Sequence, residues 1–300
     1  MIVLEEEQWW PRVLAHQEAA NTRTGGRLER QSHHTPNAME DFLYEYYPLR
    51  PGRFATWHPG IADDGGVGLA RPRGGEALAW WEERSRNRWY EAGADVVMLS
   101  PTYFAERAHG LEFQASLQEK LLEREPRFGC FGWHEWAMVY KADHLRHPLP
   151  LRLGQEQTDR VVEEANIRCS HFDAFQFFQP EAKPLNASQP SYETVIENEQ
   201  PGCIHVTMDL LRVCLQFPQI FPSEWAIQAY DLALAARRID QAASPYDSRS
   251  IGVEPIPVET VDGRAEYVQR QREAYKNGSA LRKKIADALA QAVALGRARS

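Results

Sequence analysis

Apolar side chains recur at three- and four-residue spacing over most of this chain, and the runs suited to strands are short. Residues 6 to 20 predict a helix opened by acids, with Trp10, Val13 and Leu14 on one side. The polar stretch that follows, through His33 and His34, predicts a loop. A short helix carrying Phe42, Leu43, Tyr46 and Tyr47 stops at Pro48, and residues 76 to 91 predict another, anchored by Trp80, Trp81 and Trp89. The run DVVMLSP, 95 to 101, is the best strand candidate, and VGLARP, 67 to 72, is a weaker one. Leu111 to Arg124 is helical by pattern, and Trp133, Trp136, Ala137 and Tyr140 fit one helical face. Thr158 suits the N-cap of a helix starting at Asp159. IHVTMDLLRVCLQF, 204 to 217, is apolar nearly all round, as a buried helix is. Ser223 suits the N-cap of a long amphipathic helix with Trp225, Leu232, Ala236 and Ile239 in one row. Gly263 to Ala298 predicts one or two charged helices interrupted near Gly278. The expected fold is mainly α: one large helical domain over 1–300 with a few short strands, or two packed halves, 1–128 and 129–300.

Composition narrows the class. An apolar fraction of 43% with 11% aromatic residues is ample for a core, and only the stretches 21–38 and 59–75 are polar enough to predict disorder. A formal charge of −8 argues against a broad nucleic-acid-binding face, while leaving room for a local basic groove. Four cysteines without paired C-x-x-C knuckles make neither a disulfide scaffold nor a structural zinc module, so reduced, packed thiols are expected. The acidic N-terminus, MIVLEEEQWWPRV, does not read as a signal peptide, and no apolar run approaches the roughly 20 residues of a membrane span. A cytoplasmic protein is expected.

The chemistry-capable residues fall in three echoing stretches. ANIRCSHFDAF places Cys169, His171 and Asp173 at alternate positions; GCIHVTMD holds Cys203, His205 and Asp209; GCFGWHEW holds Cys130, His134 and Glu135. On a helix His205 and Asp209 lie one turn apart and share a face. Cys169, His171 and Asp173 would share a face only in a strand. Glu135 stands between Trp133 and Trp136, where desolvation would suit it to general acid/base work. Arg50, Trp57 and His58 form a further polar-aromatic cluster before a Pro-Gly turn. Against each stands the ordinary alternative, a core histidine satisfied by a nearby acid.

GCFGWHEWAMVY, LRLG followed by VVE and IRCSHFDAF, EQPGC with MDL, ASPYD and ETVDGRAEYV together resemble an actinobacterial-type family of bacterial proteins commonly named 3-methyladenine DNA glycosylase. The resemblance covers most of the chain and implies hydrolysis of an N-glycosidic bond, with DNA or a nucleoside or nucleobase as partner and no cofactor required. A flipped, cationic base would stack in an aromatic pocket and be released with help from a carboxylate. In that picture Glu135, Asp173 and Asp209 act as catalytic acids, with His134, His171 and His205 orienting them. Trp133, Trp136, Trp57, His58 and Arg50 are the matching binding candidates.

Two other readings stay open. His171, His205 and Asp209, with Asp173, Glu135 and His134 in reach, could hold Zn, Fe or Mn in a metal-dependent enzyme. Alternatively the aromatic-rich cleft of a non-catalytic protein could bind a ligand or partner, and a homodimer is compatible with the sequence.

Overall fold

The computed structural model describes residues 2–35, 37, 39–62 and 65–298. It is mainly α, as expected, with one four-stranded sheet and a two-stranded one that pairs Ile61–Ala62 with Gly65–Gly66. Residues 36, 38, 63 and 64 of the two polar stretches lie outside the described residues. The four strands run in the order Val3–Leu4, Gly68–Ala70, Val96–Leu99 and Tyr90–Ala92. The first pair is parallel and the others antiparallel, with Leu69 opposite Val97 and Tyr90 opposite Leu99. The helix expected over 76–91 spans Gly75–Ser85 and gives way to the Tyr90–Ala92 strand.

The first helix corrects the expected loop: it runs unbroken over Glu6–His33, through Pro11 and the Gly25-Gly26 pair. Those residues together disfavour a helix by roughly 5 kcal/mol. Its buried row is Trp9, Val13, His16, Ala20 and Thr24, so the core-facing stripe continues past residue 20. Full burial of Trp9 and Val13, at about 1.5–3 kcal/mol per large apolar side chain, offsets much of that penalty. Arg27 and Arg30 then extend the docking by pairing with the buried Asp41 at 2.7 and 2.8 Å. Leu14, expected on the packed side, is exposed.

Three further expectations shift. Thr158 is not a cap: it sits inside the Gly154–Glu164 helix, and its hydroxyl donates to the Gly154 carbonyl at 2.7 Å. Ser223 opens the Ser223–Ala243 helix, but its hydroxyl oxygen accepts from the His58 N–H at 2.8 Å instead of capping. The C-terminal helix is continuous over Val261–Arg297. Gly278 does not interrupt it, because there it meets the Ile204–Gln216 helix, and a Cβ would lie 3.2 Å from Thr207 Cγ2.

The largest apolar cluster joins Trp9, Trp57, Trp81 and Leu111 from the first half to Leu211, Phe217, Ala233 and Leu289 from the second. A separate cluster, with Trp133, Trp136, Ile167, Phe175 and Tyr267, packs beneath the short Trp133–Ala137 helix. Between these clusters the Ile204–Gln216 and Ser223–Ala243 helices lie against each other, and their polar positions meet the 133–137 and 171–175 turns. Among the described residues no helix is long and apolar enough to cross a membrane.

Candidate active site

The three histidines converge. The rings of His134 and His205 lie 4.5 Å apart edge to face, and those of His205 and His171 stack at 4.9 Å. All three reach the wall of one cavity of about 180 Å3, whose other walls include Phe42, Tyr46, Phe177 and Tyr246. Each arrives on a different element. His134 is carried by the short Trp133–Ala137 helix, entered through Gly132 at φ 73°. His205 sits in the first turn of the Ile204–Gln216 helix. His171 is the extended residue that caps the Phe172–Phe175 turn, its Nδ1 accepting from the Ala174 N–H at 3.3 Å.

The acids beside them in sequence are not their partners in space. His171 Nε2 lies 2.8 Å from Asp209 and 3.5 Å from Glu199, while Asp173 pairs with Arg212 at 2.5 Å. Glu135 is held at 2.6 Å by Arg237, an ion pair in place of the isolated acid the flanking tryptophans suggested. His134 Nε2 faces Asp240 Oδ1 at 2.8 Å, and His205 Nε2 lies 4.0 Å from the other oxygen of the same carboxylate. Arg237, fully buried, bonds that second oxygen at 2.6 Å and Gln241 at 2.8 Å.

Two groups of ligand-type atoms result, each lying within 4.8 Å of one another: His134, His205 and Asp240, and His171, Glu199 and Asp209. The first has a telling detail. His134 Nε2 and Asp240 Oδ1 are both buried and meet at 2.8 Å, off the alignment of an ordinary hydrogen bond. Ligands on a tetrahedral cation at about 2.1 Å stand roughly 3.4 Å apart. The 2.8 Å between His134 Nε2 and Asp240 Oδ1 is shorter than that, so a bound cation would part the pair by about 0.6 Å.

The electrostatics agree with such a role. Burial and the neighbouring His134 push His205 well below its ordinary pKa, leaving the neutral imidazole that a cation requires. Burial raises the Asp240 carboxyl, but His134, His205 and Arg237 outweigh it and hold the group far below the carboxylate range. Around His171, burial lowers the ring, and Glu199 and Asp209 more than reverse this, raising it to about 9. Glu199 is pushed up to about 7, chiefly by burial. Burial also raises Asp209, while Arg212 and His171 bring it below its usual value.

The remaining candidates lie elsewhere. Trp133 and Trp136 are core residues, Trp136 donating its indole N–H to the Ala243 carbonyl at 2.8 Å, and neither lines the cavity. Trp57 is fully buried against the first helix and its Arg12, His58 reaches a different cavity, and Arg50 is exposed at the start of the Pro51–Phe54 turn. The cysteines pack: burial pushes the Cys169 thiol up to about 12, and no thiol belongs to either ligand group among the described residues. Sequence reasoning missed Asp240, Arg237 and Glu199. The first two carried a signal, since charges at 237 and 240 interrupt the buried face formed by Ala229, Ala233 and Ala236. Glu199, before the Gln200-Pro201-Gly202 turn, carried none.

Fold and site together define a mainly helical protein with a buried histidine–carboxylate centre beneath an aromatic-walled cavity. No protein-family model, no curated protein and no solved structure matches the chain.

Proposed function

We propose that this protein is a metal-dependent enzyme whose divalent cation is held by His134, His205 and Asp240 and acts on a small substrate in the aromatic cavity. The observation that carries this is the convergence of His134, His205 and Asp240, whose ligand-type atoms lie buried within 4.8 Å of one another. Two imidazoles and one carboxylate suit Zn, Fe or Mn. Such a cation supplies polarisation of a substrate oxygen or activation of water. The chain's own residues do the rest. Arg237 occupies one Asp240 oxygen and so leaves the other facing His134, an orienting contact of the kind that fixes metal ligands. His171, bonded to Asp209 and close to Glu199, stacks on His205 and gives the cavity wall a polar face. Phe42, Tyr46 and Phe177 give the cavity aromatic walls for a planar substrate, with exposed Arg146 over Phe177 at 4.5 Å.

The test is metal binding by chelator-stripped protein. One equivalent of Zn, Fe(II) or Mn should bind to wild type and be lost on His205→Ala with the helical circular dichroism unchanged. Equal binding by the variant removes this reading.

The aromatic walls favour one second reading, release of a nucleobase from an N-glycosidic bond, in which the rings stack an alkylated base. Free 3-methyladenine released from methylated DNA in the presence of chelator, and lost on Asp209→Asn, would support it over the metal reading. No release by wild type rejects it.

A further inference from the structure

A second cavity, of about 720 Å3, shares no lining residue with the first. Four arginines, Arg53, Arg84, Arg86 and Arg107, line it against one acid, Glu83, in a chain of formal charge −8. Arg84 is the unusual member, because it is buried, only 5% exposed. One terminal nitrogen donates to His58 Nδ1 at 2.9 Å and to the Tyr90 hydroxyl at 2.8 Å, and the other donates to the Trp57 carbonyl. Its guanidinium also lies over the rings of Trp80 and Tyr90 at 4.5 and 4.7 Å. Every one of these partners is neutral. Burial and Arg84 itself push His58 well below its ordinary pKa, so the imidazole is uncharged as well. Among the described residues no carboxylate forms an ion pair with Arg84, Arg53 or Arg107. Arg86 has only a loose one, 3.7 Å to Glu82.

A buried cation is strongly disfavoured unless a counter-charge meets it. Arg237 obeys that rule, while Arg282 meets it only in part, bonded to Gln118 and the Val206 carbonyl and its pKa lowered to about 10 by burial. Arg237 has Glu135 and Asp240, and Arg282, which lines neither this cavity nor the first, sits in the field of Asp209 and Glu199. Of these three buried arginines, Arg84 alone lines the open, basic cavity, and the hydrogen bonds of its guanidinium among the described residues come from the terminal nitrogens. Trp80 and Trp89 line the same space.

We propose that this cavity binds a phosphate-bearing small molecule, its phosphoryl group seated on Arg84 beside Arg53 and Arg107 and its organic part against Trp80 and Trp89. Guanidinium groups match phosphate oxygens in pairs of parallel hydrogen bonds, and a phosphate monoester carries nearly two negative charges. A carboxylate would bring one charge to a wall holding four arginines and one acid. The volume lies within the usual range for small-molecule sites.

Isothermal titration calorimetry of the full chain tests this with three probes: inorganic phosphate, adenosine 5′-monophosphate, and a single-stranded oligonucleotide without terminal phosphates. The nucleotide should bind saturably and more tightly than phosphate. Arg107→Gln and Arg53→Gln, at exposed or half-buried positions, should each weaken it about tenfold, as loss of one charge-assisted contact does, with unchanged melting temperature. Arg84→Met should abolish binding; if that variant does not fold, the other two decide. Absence of saturable binding of phosphate and nucleotide up to about 10 mM, an affinity weaker than small-ligand sites need, overturns the proposal. So does unchanged affinity in both glutamine variants. Oligonucleotide binding without nucleotide binding overturns it too, and assigns the surface to a nucleic-acid backbone.

Discussion

Replacing Arg237 by methionine would strip the candidate site of its structural cation while keeping an apolar stem of similar length. Arg237 is fully buried, bonds Glu135, Asp240 and Gln241 at 2.6, 2.6 and 2.8 Å, and packs over the Phe42 ring at 4.1 Å. Removing it leaves two carboxylates, themselves 6% and 0% exposed, without their counter-ion. Breaking a buried pair from one side costs about 3–5 kcal/mol, and with two acids stranded the upper end applies. For a chain of this size that corresponds to a fall in melting temperature of roughly 10 °C. The assay is thermal unfolding of chelator-stripped protein, with Arg238→Met, an exposed neighbour, as control; that change should stay within about 0.5 kcal/mol. Adding Glu135→Gln to Arg237→Met should restore part of the loss, because one stranded charge is gone. If Arg237→Met melts no lower than Arg238→Met, the carboxylates are not held as described and the site's architecture is wrong.

Other outcomes follow from the same geometry. Gly263→Ala should destabilise by about 1–3 kcal/mol in urea unfolding, since its Cβ would fall 2.0 Å from the Pro257 carbonyl oxygen and the backbone must shift; a neutral substitution would refute that close approach. Burial raises the Asp41 carboxyl, but the Asn37 N–H, Arg30 and Arg27 outweigh it and lower the group below its ordinary 3.8. A depressed carboxyl stabilises above the unfolded pKa and ceases to as pH falls through the folded one. Asp41→Asn should therefore melt below wild type at pH 6, with the gap closing below about pH 4; a gap independent of pH contradicts the ion pair. Gly278→Leu should loosen the contact between the C-terminal helix and Thr207, lowering the melting temperature, whereas an insertion-tolerant break at 278 would leave it unchanged.

How much of this was legible beforehand depended on whether the signal was local. The Ile204–Gln216 helix was plain because its apolar residues leave no solvent face, and the 96–99 strand because it is short, β-branched and bounded by turns. The first helix was cut short because residues 21 to 33 are polar, and their helicity rests on two small buried residues, Ala20 and Thr24, and on arginines reaching Asp41. Gly278 looked like a break for the complementary reason: a glycine needed for close helix packing has the same letter as one that ends a helix. At the site, the histidines stood out through their echoing sequence context. Their pairing did not, because each ion pair that matters spans many residues, His171 to Asp209 and His134 to Asp240. Neighbouring acids were natural partners by sequence, and the fold gives Asp173 and Glu135 to arginines from other segments.

The central claim is that His134, His205 and Asp240 form a cation site. Anomalous diffraction from crystals soaked with Zn tests it most directly. The account predicts a single strong peak at about 2.0–2.2 Å from His134 Nε2, His205 Nε2 and Asp240 Oδ1, with Arg237 still on the other Asp240 oxygen. No peak at these residues, or one only on surface carboxylates, would contradict it.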